Sequence, residues 1–291
     1  MKKALFLLPF LIVLFIPLSS LAPTQKQPEL PPIKIILTGD LMLDRGVEYM
    51  VNKYGNGDFK FPFLKIADEL NQADIVFGNL EGPISDKGTK VGSIYSFRND
   101  PRVLDGLTFA GFNILSLANN HIFDYGRLAL EDTLERLKNA SIDCVGFGPA
   151  VIKDIRGTKI AFLAYTAFGA AKISESDFEK VKQEIKTAKE EADILIVSLH
   201  AGEEYQKTPN QFQIDFFKTA YGAGADLVVG HHPHVVQPDL YSLGNFIFDQ
   251  GFSEETMKGE IIEVQIQDKK IKNILTKEVK INDFFQPELL K

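Results

Sequence analysis

Short apolar runs of β-forming residues alternate with helical segments along the chain from Ile33 onward. A helix is predicted over 127–140, and over 176–192 the apolar residues recur at alternating spacings of three and four. Helices that alternate with buried strands cover the faces of a sheet, so this pattern predicts an α/β fold. The main strand candidates are KIILTGD, DIVFGN, NILSLANN, DILIVSLH and ADLVVGHH.

Glycine, proline and polar residues between these runs predict where other elements begin and end. The segments FLKIADELNQA and PRVLDGLTFAGF are predicted to be helical. Another helix is expected to begin at Thr208-Pro209 and to stop at Gly222 and Gly224. SLGNFIFDQ is predicted as one strand, and GEIIEVQIQD and KIKNILTKEVKI as a hairpin across Asp268 and Lys269.

The composition limits the class of protein. The chain has 291 residues, of which 45% are hydrophobic and 24% charged, so it can bury a full hydrophobic core. Its formal net charge of −7 provides no broad basic field, which argues against nucleic acid as a partner. Cys144 is the only cysteine, which excludes an intramolecular disulfide and a CxxC metal site.

Residues 1–22 are predicted to be a signal peptide or an N-terminal membrane anchor. Two lysines precede the apolar run 4–18, which is short for a membrane span and contains two prolines. Ser20-Leu21-Ala22 is typical of a signal-peptidase site, but Pro23 argues against cleavage there, so both alternatives stay open. The proline-rich stretch 23–32 is predicted to be an extended linker, followed by a folded domain over 33–291.

Polar side chains follow five of the apolar runs, at the point where each run stops. The carboxyl ends of parallel strands meet at one edge of a sheet, so we expect these side chains to lie close together. All five histidines of the chain fall in these segments, a distribution that unrelated structural histidines would not produce. The residues concerned are Asp40, Asn79, Glu81, Asn119, Asn120, His121, His200, His231, His232 and His234.

The chemical mixture in these segments predicts a metal centre. Imidazole, carboxylate and amide groups together suit borderline divalent ions such as Mn²⁺, Fe or Zn²⁺. The set is larger than one ion needs, and two ions about 3.5–4 Å apart would use it and would clamp both oxygens of a hydrolysis. His232-Pro233-His234 is predicted to be extended, so that both imidazoles point to one side and reach neighbouring ions.

Six ordered motifs resemble the CapA group of capsule and poly-gamma-glutamate synthesis proteins, a branch of the calcineurin-like metallophosphoesterase superfamily. The motifs are GDLMLDR, GNLEGP, LANNHIFDYG, SLHAGEEY, GAGADLVVGHHPHVVQP and YSLGNFIFDQ. They span the chain from about residue 33 to residue 250. The resemblance implies a four-layer α/β/β/α sandwich with the metal centre at the strand ends.

The resemblance also implies a role for each matching residue. Asp40 resembles the first-strand aspartate, and Glu81 takes the bridging place that an aspartate usually holds. His121 resembles the histidine that acts as general acid toward the leaving group. The implied metal ligands are Asp40, Glu81, Asn120, His200, His232 and His234.

The chain departs from the resembled pattern at two places. The superfamily opens with Asp-x-His, whereas Met42 stands two residues after Asp40, so one ion would lack an imidazole and bind more weakly. A centre with only one tightly bound ion is therefore an open alternative. The segment 235–242 is also shorter than in CapA-like chains, which usually carry a hairpin there. The shortening is expected to open the site or to damage its rim.

Four further residues are predicted to bind substrate, namely Arg45, Asn79, His231 and Asn245. Arg45 suits a phosphate or carboxylate, although an arginine that opens a helix is as often a surface residue. For His231 a supporting or surface role is the alternative, and for Asn245 and Asp249 a structural turn. The loop Glu203-Glu204-Tyr205 follows a predicted ligand, and a solvated loop is its favoured interpretation.

Together these features predict an extracytoplasmic metal-dependent hydrolase, secreted or membrane-anchored, that acts in capsule or poly-gamma-glutamate synthesis, attachment or processing. A phosphodiester, a phosphomonoester and a polyglutamate amide all stay open as the bond cleaved. The alternative is a non-catalytic, membrane-tethered accessory protein that binds an anionic envelope polymer in an export complex. Met42 favours the alternative, whereas the retained Asn120 and His121 favour catalysis.

Overall fold

The computed structural model describes Met1 and residues 31–290, where strands and helices alternate. The strands β1 to β14 are Ile33–Leu41, Ile75–Leu80, Ile114–Ser116, Asp143–Val145, Val151–Ile155, Thr158–Thr166, Ile194–His200, Leu227–His231, Val236–Gln237, Ser242–Leu243, Asn245–Ile247, Lys258–Gln267, Lys270–Ile281 and Pro287–Leu289. The helices α1 to α6 are Arg45–Tyr54, Ala67–Leu70, Val103–Phe109, Gly126–Asn139, Phe178–Glu191 and Gln211–Ala223. Short 3-10 segments are Phe61–Phe63, Glu175–Asp177 and Pro238–Leu240.

The strands form two main sheets. The larger sheet has the order β14-β13-β12-β1-β2-β3-β4, with β11 also paired to β1, and the smaller one has the order β5-β6-β7-β8. Strands β1 to β4 run parallel in the first sheet, and β6 to β8 run parallel in the second. Within each sheet, the carboxyl ends of these parallel strands therefore share one edge.

Three clusters of buried apolar side chains define the layers. Alternate residues of β1 face opposite ways, so Ile35 packs between the two sheets while Ile36 packs against the helices outside the larger sheet. In the smaller sheet, Phe162 packs between the sheets and Ala161 contacts the cluster beneath α5 and α6. The predicted four-layer α/β/β/α sandwich is therefore confirmed.

Several local predictions differ from the structure. The segment FLKIADELNQA contains only the short helix α2, because Ile66 has φ −127° and interrupts the helical backbone. Helix α6 begins at Gln211, not at Thr208-Pro209, since Asn210 and Gln213 form a capping box at its start. SLGNFIFDQ is divided into β10 and β11 at Gly244, whose φ is +68°.

Other local predictions are confirmed. Helix α6 ends at Gly224, which has φ +111° and adopts the left-handed conformation typical of a helix C-terminus. Strands β12 and β13 form the predicted hairpin. Its turn residues Asp268 and Lys269 have φ +53° and +60°, as a type I′ turn requires.

The predicted signal peptide or anchor over 1–22, and most of the predicted linker over 23–32, lie outside the described residues. Those assignments stay predictions. In the part of the chain that the structure describes, no helix has both the length and the apolar character needed to span a membrane.

Candidate metal centre

The polar strand ends of both sheets meet in one buried place. Asp40 lies on β1, Asn79 on β2 and His200 on β7, and each side chain is 0% exposed. Glu81, directly after β2, and His231, at the end of β8, are also 0% exposed. Burial of this many polar groups is unfavourable unless they are hydrogen-bonded to each other or bind an ion.

Hydrogen bonds join the two sheets at this place. The Nδ2 atom of Asn79 donates to Asp40 Oδ1 at 2.8 Å and lies 3.2 Å from His200 Nδ1. On its other side, His200 Nε2 lies 2.8 Å from Asn120 Oδ1. Asn79 thus fixes a residue from each sheet, and Asn120 joins the same network.

The segment after β8 folds back over Asp40. The backbone N–H of His232 donates to Asp40 Oδ2 at 3.1 Å, and His234 Nδ1 lies 3.4 Å from the same oxygen. His232 and His234 have φ +100° and +58°, so the predicted extended conformation of this pair is wrong. Left-handed backbone at non-glycine residues costs about 1–3 kcal/mol each and is concentrated at functional sites.

Strand β11 places Asn245 beside this segment. Its Oδ1 atom lies 2.9 Å from His234 Nδ1, and its Nδ2 donates to the carbonyl oxygen of Thr256 at 2.9 Å. Gly39 permits the close approach of this part of the chain to β1, because a Cβ atom there would lie 2.1 Å from the carbonyl oxygen of Gly244.

Several buried polar atoms at the centre lack a hydrogen-bond partner among the described residues. They are both carboxylate oxygens of Glu81, both ring nitrogens of His231, and Nδ1 of His232. A buried carboxylate with neither oxygen paired is strongly unfavourable in a protein, and ion coordination would satisfy it. The donor set therefore fits a divalent metal.

Two groups of side chains have the spacing that a metal ion needs. Asp40, Glu81 and His200 each offer an atom within 4.8 Å of the others, and so do Glu204, His232 and His234. Carboxylate oxygens and imidazole nitrogens are common ligands of Zn²⁺, Mn²⁺ and Fe. The residue clusters of this fold can hold metal ions.

Charges within the centre compensate each other. Burial raises the pKa of Glu81 to about 7, and burial lowers the pKa of His232 to about 3. Burial opposes protonation of His234, but the charge of Glu81 and the bond to Asp40 outweigh it and raise the His234 pKa to about 9. Burial also opposes ionisation of Asp40, yet its close contacts with the imidazoles of His231 and His234 hold its pKa well below the usual range. A divalent cation would replace the protonated imidazole as the partner of these carboxylates.

His121 lies at the edge of the centre with its two nitrogens in different surroundings. Its Nδ1 atom is 2.7 Å from Asp124 Oδ2, and its Nε2 atom is 3.9 Å from Glu81 Oε2. The ring lies over Phe97, with 4.0 Å between the centroids. Asp124 and Phe97 therefore hold the imidazole with Nε2 near the predicted ligands.

A cavity of about 540 Å³ opens beside the centre. It borders Arg45, Asn120, His121 and His234. The guanidinium of Arg45 pairs with both carboxylate oxygens of Asp249 and lies 4.6 Å from the centre of the Phe97 ring. The ion pair with Asp249 therefore fixes Arg45 at the cavity wall.

The other three residues predicted to bind substrate lie deeper. Asn79, His231 and Asn245 are each 0% exposed and do not border this cavity. His231 Nδ1 lies 3.3 Å from Asp40 Oδ1, so a surface position for His231 is excluded. All three contact a predicted ligand, a placement that suits orientation of the ligands.

Met42 does not replace the missing imidazole. Its side chain is fully buried in the apolar cluster between the larger sheet and its helices. Its sulfur accepts a hydrogen bond from the backbone N–H of Asp44 at 3.2 Å. The shortened segment after the histidines closes as a tight turn between β9 and β10, where Asp239 and Leu240 have φ +53° and +63°.

Sequence reasoning missed two residues of the site. Asp124 follows His121 by three positions, and a His-x-x-Asp spacing could have indicated an orienting carboxylate. Glu204 lies on the loop predicted to be solvated and is exposed, but it forms a potential metal-binding group with His232 and His234. No local pattern distinguishes it from its neighbour Glu203.

A known protein family matches most of this chain. The model of the bacterial capsule synthesis protein family PGA_cap matches residues 34–250. The chain belongs to this family. As a PGA_cap member it is related to the CapA proteins that the motifs resemble.

Curated relatives of this PGA_cap chain act in polymer synthesis. It is 32% identical to the capsule biosynthesis protein CapA of Bacillus anthracis over 275 residues, which are 84% of this chain and 66% of the relative. It is 32% identical to the PGA biosynthesis protein CapA of Bacillus subtilis over 245 residues, 74% of this chain and 63% of the relative. These two matches thus span just under two thirds of the relatives' length. A probable polyglutamine synthesis accessory protein of Mycobacterium tuberculosis is 23% identical over 283 residues, 75% of this chain and 74% of the relative.

Solved structures share the fold. A hypothetical protein from Thermus thermophilus has a TM-score of 0.55 and 16% identity, covering 85% of this chain and 99% of that one. A novel phosphatase from Mycoplasma pneumoniae has a TM-score of 0.53 and 17% identity, covering 86% and 94%. The PGA_cap chain therefore shares its α/β sandwich fold with these two proteins.

Proposed function

We propose that this protein is an extracytoplasmic metal-dependent hydrolase, phosphoesterase-like in its chemistry, that acts in capsule or poly-gamma-glutamate synthesis, attachment or processing. The single observation that carries the proposal is Glu81. Its carboxylate is completely buried, and neither oxygen has a hydrogen-bond partner among the described residues. Such a group beside Asp40, His200 and His234 is best explained by coordination of a cation.

Two divalent transition-metal ions, Mn, Fe or Zn, are the proposed cofactors. Their ligands would be Asp40, Glu81, Asn120, His200, His232 and His234. When bound, such ions supply electrophilic stabilisation to an oxygen that gains negative charge during hydrolysis. Asn79 and His231 would hold the ligands in place through their contacts with Asp40.

His121 is the proposed general acid. Its Nδ1 atom lies 2.7 Å from the Asp124 carboxylate, so the proton that it can give to a leaving group resides on Nε2. Nε2 lies 3.9 Å from Glu81, and His121 borders the cavity, where a scissile bond has access to it. The nearby Phe97 ring limits rotation of the imidazole and excludes water from one of its faces.

The proposed substrate is an anionic envelope polymer or its precursor. Arg45 would contact a phosphate or carboxylate of that substrate while Asp249 keeps the guanidinium in position. The names of the Bacillus relatives support the polymer class. The bond cleaved is a phosphodiester, a phosphomonoester or a glutamate amide.

A hydrolysis assay tests the proposal. The full-length chain, loaded with Mn²⁺, is incubated with bis(4-nitrophenyl) phosphate, 4-nitrophenyl phosphate and poly-gamma-glutamate. We expect turnover of at least one of them, abolished by a chelator, and a decrease in kcat of roughly 10²- to 10⁴-fold in His121→Gln with unchanged metal content. If the Mn²⁺-loaded protein hydrolyses none of the three substrates, the proposed hydrolase activity toward these bonds is wrong.

A second candidate function is a non-catalytic accessory protein that holds an anionic polymer in a membrane export complex. Met42 favours it, because the buried thioether leaves the first metal position without its usual imidazole. The Mycobacterium tuberculosis relative is named a probable accessory protein, which also supports this second function. Under this function, His121→Gln would support polymer formation in cells as fully as the wild type.

The proposed location is outside the cytoplasm, with the N-terminal segment either removed or kept as an anchor. N-terminal sequencing of the protein from membrane and soluble fractions distinguishes these two forms. An intact N-terminus in the membrane fraction supports the anchor, and a chain that begins near Pro23 in the soluble fraction supports secretion.

A further inference from the structure

The loop that follows β7 holds Glu204 beside the histidine segment. Glu204, His232 and His234 each offer a potential ligand atom within 4.8 Å of the other two. Glu204 also borders the same cavity as His121 and His234. This exposed carboxylate therefore faces the metal centre.

Hydrogen bonds on both sides of Glu204 fix the position of this loop. The N–H of Tyr205 donates to the carbonyl oxygen of Pro233 at 2.8 Å, within the histidine segment itself. Before Glu204, the N–H of Ala201 donates to the carbonyl oxygen of His231 at 3.1 Å. After it, Gln237 Nε2 donates to the carbonyl oxygen of Gln206 at 2.8 Å. The loop and the histidine segment thus form one unit.

The centre has a position for one more ligand. Met42 stands where the superfamily has an imidazole, but its side chain is turned into the apolar cluster and its sulfur already accepts the N–H of Asp44. His232 is also buried, and its Nδ1 atom has no hydrogen-bond partner in the described part of the chain. A cation near Glu204 would satisfy this histidine as well.

The charge balance of the proposed centre favours a carboxylate at the position of Glu204. Two divalent ions bring four positive charges, whereas the buried ligands Asp40 and Glu81 bring two negative charges. A third carboxylate brings the centre closer to neutrality, which reduces the cost of burying the ions. An imidazole at the position of Met42 would not do so.

We propose that Glu204 is a metal ligand, together with His232 and His234, and that it supplies the coordination that Met42 does not. The inference rests on the proposed metal centre and adds a residue to it. Glu203 is the matched control, because it is the same residue type on the same loop, is also exposed, and belongs to neither potential metal-binding group.

Equilibrium dialysis with Mn²⁺ tests the inference without an activity assay. The full-length chain without a histidine tag is compared as wild type, Glu204→Gln and Glu203→Gln, with the fold checked by circular dichroism. We expect Glu204→Gln to lose one ion per chain, or to bind its weakest ion at least about tenfold more weakly, while Glu203→Gln matches the wild type.

The possible failures are distinguishable. Wild-type stoichiometry and affinity in Glu204→Gln would overturn the role of Glu204 and leave the proposed centre intact. An equal loss in Glu203→Gln would assign the effect to the charge of the loop and would also overturn it. A wild-type chain that binds no Mn²⁺ would overturn the metal centre itself, and the inference with it.

Discussion

The Nδ1 atom of His121 lies 2.7 Å from Oδ2 of Asp124, three residues later in the chain. The same carboxylate oxygen accepts the backbone N–H of Phe97 at 2.8 Å, so Asp124 fixes both the imidazole and the loop that carries the ring stacked on it. Asp124 is a positioning residue for the proposed general acid.

Substitution of Asp124 by Asn is therefore expected to decrease kcat by roughly 10- to 100-fold. The effect should be larger for a phosphodiester with an alkoxide leaving group than for one with 4-nitrophenolate, which needs little protonation. Steady-state kinetics on both substrates measures this difference. An equal decrease on both, or a loss of bound metal, would contradict a role in orienting the acid.

Asn79 is expected to be necessary for tight metal binding although it lies outside the cavity. It is bonded to Asp40 and lies beside His200, so Asn79→Ala frees a proposed ligand in each sheet. We expect Mn²⁺ affinity to decrease roughly 10- to 100-fold, as measured by isothermal titration calorimetry. The exposed Asn273→Ala is the control, and equal affinities in the two variants would exclude the orienting role.

The ionised carboxylate of Asp132 is predicted to increase the free energy of unfolding, and this contribution is lost in acid. Burial opposes its ionisation, but bonds from Lys87, Ser85 and Arg136 lower its pKa from 3.8 to about 2. Because the folded-state pKa is the lower one, the stabilisation is fully present above about pH 4 and disappears as pH falls through about 2. At neutral pH it amounts to about 2 kcal/mol.

Urea unfolding of the wild type and Asp132→Asn at several pH values tests this prediction. The difference in free energy of unfolding should shrink as the pH falls from about 5 toward about 2, whereas the exposed Asp283→Asn should track the wild type throughout. A difference that does not vary with pH would assign the effect of Asp132 to packing alone.

Phe77 and Phe162 stack across the interface between the two sheets, with 5.8 Å between ring centroids. Phe77→Ala should decrease the free energy of unfolding by about 3–5 kcal/mol, because it removes a fully buried ring and leaves a cavity between the sheets. Phe252→Ala, at a 65% exposed position, should change it by less than about 0.5 kcal/mol. Urea unfolding of both variants measures this difference. Similar decreases in the free energy of unfolding would contradict the position of Phe77 between the two sheets.

The alternation of apolar runs with helical segments was sufficient for the α/β class, and the family resemblance supplied the four layers; the positions where apolar runs stop predicted which polar side chains lie together. Asp40, Asn79 and His200 lie at the ends of buried parallel strands. The carboxyl ends of such strands lie at one edge of the sheet regardless of the conformation of the connecting loops. Helix α6 begins three residues after the predicted start at Thr208, because the capping box of Asn210 and Gln213 fixes its first turn and the Thr-Pro pair does not.

Loop geometry explains what sequence reasoning could not supply. The left-handed backbone of His232 and His234 is held by contacts with Asp40 and Asn245, residues distant in the chain. Glu204 approaches this segment only because Tyr205 bonds to Pro233. Contacts of this kind have no periodic signature, so they become visible only in the folded chain.

We propose that the ends of the strands form a metal centre. The most direct test is the metal content of the full-length chain, purified without a histidine tag, beside a His232→Ala/His234→Ala variant whose fold is checked by circular dichroism. We predict close to two transition-metal ions per wild-type chain and their loss from the variant. A folded wild-type protein that holds no metal, even after reconstitution with Mn²⁺ or Zn²⁺, would contradict the proposed metal centre.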